Sequence, residues 1–291
     1  MPLKSLKKYD VLGKPENVEP VLDVIKRYPH FEHDPELPDF YFAIGGDGTT
    51  LYPPNKEKIV GRDVPVLQVH YQEDTVKSQG FWPDIDKDGV ATALEDVIAG
   101  NYSIRKDEML KCSVDGKMLG HVINEVDLEH KERMKTIELG MIIDLHGKLP
   151  PYNRLLMPSP RLDRVLIGTN RGSTAWAYSY DGPISWDNPG IYVNFIGAPV
   201  PYRHFDFEID DKVFIETKQD CMAALDVNQV FFLEKGSQMK VERSNKQFET
   251  IQTGRTVESL TAKLARSQFF HGRGLNVRPF ILKDEMRQSK V

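Results

Sequence analysis

The chain has 291 residues, 40% hydrophobic and 28% charged, the balance of an ordinary soluble protein with enough length for one large core or, as preferred here, two modest ones. A formal net charge of −5 excludes global attraction to nucleic acid, and no apolar run approaches the ~20 residues that a bilayer-spanning helix needs, so no membrane role is expected. Two cysteines, Cys112 and Cys221, can build neither a disulfide framework nor a zinc cluster, which predicts a reducing, cytoplasmic setting.

Met1 to Lys14 carries lysines without the apolar stretch of a secretory signal. Within it, Tyr9-Asp10-Val11-Leu12 is a weak strand candidate. Val18, Val21, Leu22 and Ile25 recur at helical spacing, which predicts a helix from Glu16 to Tyr28 that stops before Pro29. A loop with Pro35 and Pro38 follows. His30 and His33 in this region lack a third ligand and read as surface residues. Phe40 to Ile44 is a short aromatic and β-branched run, hence a buried strand, and it ends in the glycine turn Gly45-Gly46-Asp47-Gly48-Thr49-Thr50.

Beyond Leu51, Pro53-Pro54 stop any long helix from starting at the turn. Val64 to Val69 predicts a neighbouring strand. Val90, Ala93, Leu94, Val97 and Ile98 predict a helix capped by Asp86 or Asp88 and ended by Gly100. Residues 1–100 therefore read as an α/β domain with an open, mostly parallel sheet, and in such sheets ligands collect at the carboxyl ends of the strands, where Asp47 falls.

After Gly100 the period changes. Ile137, Leu139, Met141, Ile143 and Leu145 alternate without a break, a half-buried strand. Further short strands are expected at Val165 and Ile167, Ile191–Ile196, Val213 to Thr217, Ala223 to Val227, and Met239 and Val241, with a turn at Lys235-Gly236-Ser237. Residues 101–255 thus read as an all-β, sandwich-like domain. Residues 256–291 supply one helix, around Leu260 and Leu264, and a polar tail containing Gly272-Arg273-Gly274 that is free to pack back on the first domain.

Three segments carry candidate chemistry. In the glycine turn, Gly45, Gly46 and Gly48 let a phosphate approach the backbone amides, and Asp47 can serve either as a ligand for Mg²⁺ or as a base toward an attacking hydroxyl. Spacing alone equally allows an Asp-Gly hairpin. Asn124-Glu125 interrupts an apolar stretch with groups suited to a ribose diol or an adenine edge, or with a solvated strand end. Gly172-Ser173-Thr174-Ala175 can open a short helix facing an anion or nucleotide edge; alone, it is an ordinary strand-to-helix turn.

Taken together, the GGDGT sequence at 45–49, Asn-Glu at 124–125, Arg161 with Asp163, GSTA at 172–175 and Leu-Asp at 225–226 resemble, in order and approximate spacing over most of the chain, the NAD kinases of the NAD kinase and diacylglycerol kinase superfamily. The resemblance implies transfer of the γ-phosphate of ATP, or of polyphosphate, to the 2′-hydroxyl of the adenosine ribose of NAD, with Mg²⁺ or another divalent cation. It implies Asp47 as the catalytic aspartate, and Gly45, Gly46 and Thr49 at the phosphates. For the dinucleotide it implies Gly48, Asn124, Glu125, Arg161, Asp163, Thr174, Ala175, Ser179 and Asn228. Phe81 resembles the aromatic of the family's Leu-Gly-Phe segment, with a core phenylalanine as the other reading. A homodimer or homotetramer, with a neighbouring subunit completing the site, is also implied.

The chain departs from the family pattern at Trp176, at Asn170-Arg171, at 68–73 and at Asp181-Gly182. Arg171 reads either as a charge against a phosphate or as a solvated loop residue. The alternatives are a lipid kinase of the same superfamily, which explains Asp47 but leaves 124–125 and 172–179 unused, and a non-catalytic dinucleotide sensor. A Rossmann dehydrogenase and a P-loop enzyme are disfavoured, since neither glycine signature is present.

Overall fold

The computed structural model describes residues 6–71, 85–132, 134–157, 161–180, 182–185, 189–198, 204–226 and 228–254. The chain opens with strand β1 (Lys8–Gly13), helix α1 (Pro15–Ile25), the two-residue strand β2 (Glu32–His33) and strand β3 (Phe40–Gly45). There follow α2 (Gly48–Leu51), α3 (Pro53–Arg62), β4 (Val66–His70), β5 (Ile85–Asp86) and α4 (Val90–Ala99). Strands β2, β1, β3, β4 and β5 lie side by side, all parallel. The expected open parallel sheet is present.

Both faces of β3 are covered, which explains why its sequence is apolar throughout. Phe40, Phe42 and Ile44 pack toward Val21 and Ile25 of α1 and Leu94 and Val97 of α4. Tyr41 and Ala43 point the other way, toward Ile59 and Val60 of α3. Pro53-Pro54 hold α2 to 4 residues, as expected, but they also start the 10-residue α3, because a proline in the first turn has no intrahelical N–H to lose. Asp86 accepts the Gly89 N–H at 2.8 Å in a 3₁₀ turn leading into α4, and Gly100 ends that helix at φ +75°.

The remaining elements are β6 (Tyr102–Val114), β7 (Lys117–Val122), β8 (Glu125–His130), β9 (Ile137–Asp144), β10 (Arg154–Met157), β11 (Arg161–Leu162), β12 (Arg164–Thr169), α5 (Trp176–Ser179), β13 (Gly190–Ile196), β14 (His204–Glu208), β15 (Lys212–Thr217), β16 (Cys221–Leu225), β17 (Gln229–Leu233) and β18 (Gln238–Thr253). Among the described residues, six of them form an antiparallel sheet in the order β14-β13-β12-β8-β16-β17. A second layer, including β9, β15, β18 and β6, faces it across a core to which β9 gives Leu139, Met141 and Ile143, β8 gives Val126 and Leu128, β12 gives Val165 and Ile167, and β15 and β18 give Val213 and Val241.

That second layer continues into the parallel sheet. β18 pairs with β15 and, over a long register broken by a bulge between Arg243 and Gln247, with β6; near its end Thr250 sits beside Val66 of β4. One strand thus crosses from the sandwich to the α/β part, and Phe248 and Ile251 near its end join the cores on the two faces of the parallel sheet. The long β6 has no clean apolar alternation because charged residues on it meet charged partners: Lys106 pairs with Glu249, Lys111 with Glu242 at 3.4 Å, and Glu108 with Arg243 at 2.9 Å. Cross-strand ion pairs stand in for apolar ones. The helix expected near Leu260 and Leu264, the tail at 272–274, and Phe81 lie outside the described residues.

Candidate active site

The glycine turn leaves the carboxyl end of β3. Gly45 adopts φ +149°, and a side chain there would collide with Thr49 Oγ1, so glycine is required on two counts. The turn is closed by Thr49 N–H donating to Gly46 O at 3.0 Å and Thr50 Oγ1 donating to Asp47 O at 3.1 Å. Asp47 sits immediately before α2 and is half-buried. Gly48, next to it, is exposed, and a Cβ there would meet nothing within 4 Å. Among the described residues that space is open.

Asn124 lies in the break between β7 and β8, and Glu125 begins β8; both are buried. Their backbone is held by Asp226, in the turn after β16. The Asp226 carboxylate accepts the N–H groups of Ile123 (3.1 Å), Asn124 (2.7 Å) and Glu125 (3.3 Å), and the ammonium of Lys56 at 3.1 Å. Three successive amides converging on one carboxylate form an anion nest that the protein fills itself. Asp226 is fully buried and has φ +50°. Beside it, burial first and the Asp226 charge second hold the Glu125 carboxyl well above the usual carboxylate range, and the Tyr192 hydroxyl donates to it at 3.3 Å.

The turn after β12 packs directly on the same junction. Thr169 Oγ1 donates to Ile123 O at 2.7 Å, and Thr169 N–H to Asn124 O at 2.8 Å. A Cβ on Gly172 would strike the Asn124 backbone, coming within 2.6 Å of its carbonyl carbon, so this glycine serves close approach rather than a special φ. Thr174 is half-buried, with its hydroxyl donating to Arg171 O at 3.1 Å, and Ala175 follows it into α5, where Ser179 is exposed.

Arg171 fits neither of its sequence readings. It is buried, paired with Asp107 at 2.9 Å, donates to Gln68 Oε1 at 2.8 Å, and lies 4.4 Å over the Phe248 ring. Burial weakens its hold on the proton; Asp107, and at longer range Asp47, oppose this.

These contacts bring most of the expected residues to one junction. Asn228 Nδ2 donates to Leu51 O, at the end of α2, at 3.3 Å, so the turn after β16 touches both the glycine-turn segment and residues 123–125. Arg161 and Asp163 are placed elsewhere: both are exposed, at the far end of β12 from Thr169, a separation of roughly 20 Å for six extended residues. Asp163 lies against Gly197, whose φ of +73° and lack of Cβ make room for it. Lys56 and Gln68 belong to this region although sequence reasoning misses both. Their signals in the sequence are slight: a lysine one turn into α3, and a Gln68 that departs from the family pattern.

A parallel α/β sheet continuous with a β-sandwich, with polar turns gathered where they meet, defines a two-part mixed fold. No family model matches the chain. It is 28% identical to an NAD kinase of Corynebacterium diphtheriae over 172 residues, 57% of this chain and 49% of that protein. The chain spans about half the length of several curated relatives that it matches. Its fold is similar to that of an NAD kinase from Archaeoglobus fulgidus solved with ATP, with a TM-score of 0.71 at 16% identity, covering 90% of this chain and 99% of that one. A similar match is found with yeast NADH kinase solved with NADH, with a TM-score of 0.73 at 16% identity, covering 95% and 90%. In sequence the chain is similar to curated NAD kinases, and in fold to the two solved kinases.

Proposed function

We propose that the protein is an NAD kinase, moving the γ-phosphate of ATP to the 2′-hydroxyl of the adenosine ribose of NAD. The observation that carries this reading is the meeting of the Asp47 turn, the Asn124-Glu125 junction and the 172–174 turn, tied together by Lys56, Asp226 and Asn228. A lipid kinase would use the first of these and leave the other two without a ligand. In the proposed reaction Asp47 accepts the proton of the ribose hydroxyl as that oxygen attacks phosphorus. Gly45, Gly46 and Thr49 handle the phosphates, and the open face of Gly48 receives the dinucleotide. Asn124, Glu125, Thr174, Ala175, Ser179 and Asn228 line the nucleotide.

Among the described residues no group of three or more His, Cys, Asp or Glu is arranged to hold a metal. A lone carboxylate still fits Mg²⁺, which keeps its waters and takes much of its coordination from substrate phosphates. The ion would be held chiefly by the substrate phosphates and its own waters beside the turn and would neutralise phosphate charge, leaving the Asp47 carboxylate to act as the base. Arg161, on β11, and Asp163, just before β12, do not join this cluster within one chain; the homo-oligomer that the resemblance implies, with a second copy presenting them, is part of the same proposal. No helix among the described residues is long and apolar enough to cross a membrane, and a cytoplasmic enzyme suits the cysteine content.

The test is incubation with NAD or NADH, Mg²⁺ and either ATP or polyphosphate, read by an NADP-specific assay, with diacylglycerol vesicles in a parallel arm. NADP formation is expected with ATP. Phosphorylated lipid without NADP would overturn the reading in favour of the lipid kinase.

A further inference from the structure

Two buried cations cross the join between the parallel sheet and the sandwich in opposite directions. Lys56, 3% exposed, leaves α3 of the α/β part and ends among sandwich residues. Its ammonium donates to His121 O at 3.1 Å, Asp226 Oδ2 at 3.1 Å and Gln229 Oε1 at 2.8 Å, one oxygen for each of its three protons. Arg171, 2% exposed, leaves the sandwich turn after β12 and reaches the α/β part through Gln68. It takes Gln68 on β4 and Asp107 on β6, and its plane is backed by Phe248. Gln68 sits opposite Ala43 of β3, two residues before Gly45.

We propose that Lys56 and Arg171 are reciprocal positioning residues that fix the separation between the Asp47 turn and the dinucleotide-facing backbone at 123–125. Lys56 acts through Asp226. The nest of three amides orients the backbone from which Asn124 and Glu125 project, and its carboxylate is held in place from the other side by the Lys56 ammonium. Arg171 acts through β4, the strand that flanks β3, and so fixes the turn at 170–174 relative to the strand that delivers Asp47. Lys56 finds its counter-ion Asp226 across the join, so sliding one part past the other strands a buried charge, which is strongly unfavourable; Arg171 would keep Asp107 on β6 and lose its hydrogen bond to Gln68 on β4. Such a clamp keeps an acceptor hydroxyl and its base at a fixed distance, where displacement by about 1 Å costs on the order of 100-fold in rate.

The kinetic arm of the test rests on the kinase reading; the exchange arm does not. Lys56→Met and the milder Gln229→Ala are compared with the parent by amide hydrogen exchange and by calorimetric titration with NAD. Exchange at Ile123, Asn124 and Glu125 is expected to accelerate in both, and the Kd for NAD to rise about 10-fold in Lys56→Met, the scale of one lost charged hydrogen bond. Arg171→Met and Gln68→Ala are expected to lower kcat with the KM for NAD within about twofold, and Arg171→Lys not to restore it, since Asp107 and Gln68 are reached by two separate nitrogens of the guanidinium fork. Unchanged exchange at 123–125 in a folded Lys56 or Gln229 variant overturns the proposal, as does a fall in melting temperature with every kinetic parameter at the parental value. A parent that makes no NADP while its variants show the faster exchange would overturn the kinase reading and leave the clamp standing.

Discussion

The two turns at the centre of the molecule each carry an aspartate, and the two aspartates are held in opposite ways. Around Asp47 the backbone is fixed locally: Gly45 at positive φ, Thr49 and Thr50 closing hydrogen bonds within the turn itself, and open space over Gly48. Around Asp226 the fixing is long-range. Its carboxylate accepts amides about 100 positions earlier in the chain and an ammonium 170 positions away. Asp47 is half-buried and beside open space, so it can meet a substrate. Asp226 is buried and already has four donors, so it has no room left for a metal or a substrate group. Position in an acidic motif therefore does not assign a role; burial and the sequence range of the contacts that hold each turn separate the two.

The comparison is broken most severely at Asp226. Asp226→Ala leaves Lys56 buried without its counter-ion and three amides without an acceptor, and is expected to cost about 3–5 kcal/mol, the range for breaking a buried pair. Chemical denaturation would show the loss. A loss below about 1 kcal/mol, the ceiling for an exposed pair, would mean that the nest can be rehydrated and that the contrast is overdrawn. Asp47→Asn should do the reverse, leaving the melting temperature and NAD affinity nearly intact while lowering turnover at least ~100-fold. Undiminished turnover in Asp47→Asn would remove that residue from the chemistry.

How far each region can be read from the sequence follows the same division. β3 and the glycine turn are legible because five apolar residues and three glycines around a carboxylate state their geometry within a short stretch of chain. β9 is legible through unbroken alternation. The strand β6 is not, since Arg105, Lys106, Asp107, Glu108 and Lys111 look solvated until their partners, such as Glu249, Glu242 and Arg243, are known. Arg171 is undecidable between a phosphate and water because its actual partners, Asp107 and Gln68, stand 64 and 103 residues away. Sequence pattern exposes local backbone demands; a buried polar network shows only when the chain has closed on itself.

A pH-dependent contrast is expected further along β8, the strand that begins with Glu125. Burial, opposed by Arg164 at 3.0 Å, pushes the Asp127 carboxyl up to about 6. An acid whose folded pKa is raised binds its proton more tightly when folded, so its contribution is present below the unfolded value near 3.8 and is lost as pH rises toward 6. Asp127→Asn removes that loss. Its stability relative to the parent should improve between pH 4 and 6 by up to about 3 kcal/mol, since a tenfold change in proton affinity corresponds to about 1.4 kcal/mol. Thermal melts across this window that run parallel for the two proteins would show that Asp127 ionises normally.

The smallest expected change is also the sharpest on the open side of the Asp47 turn. Gly48 lies within α2, carries no positive φ, and has empty space where a Cβ would go. Nothing among the described residues asks for glycine there. Gly48→Ala should therefore leave stability unchanged or raise it by about 0.5–1 kcal/mol, through the lower backbone entropy of alanine in a helix. Activity should fall all the same, because the added methyl would occupy space that the proposed dinucleotide needs. Gly45→Ala, where the backbone and Thr49 both refuse a side chain, provides the contrast: there, stability falls first and activity follows. A Gly48→Ala protein that is as active as the parent would mean that no ligand comes within a methyl's reach of Gly48, and the dinucleotide would have to approach Asp47 from the opposite side of the turn.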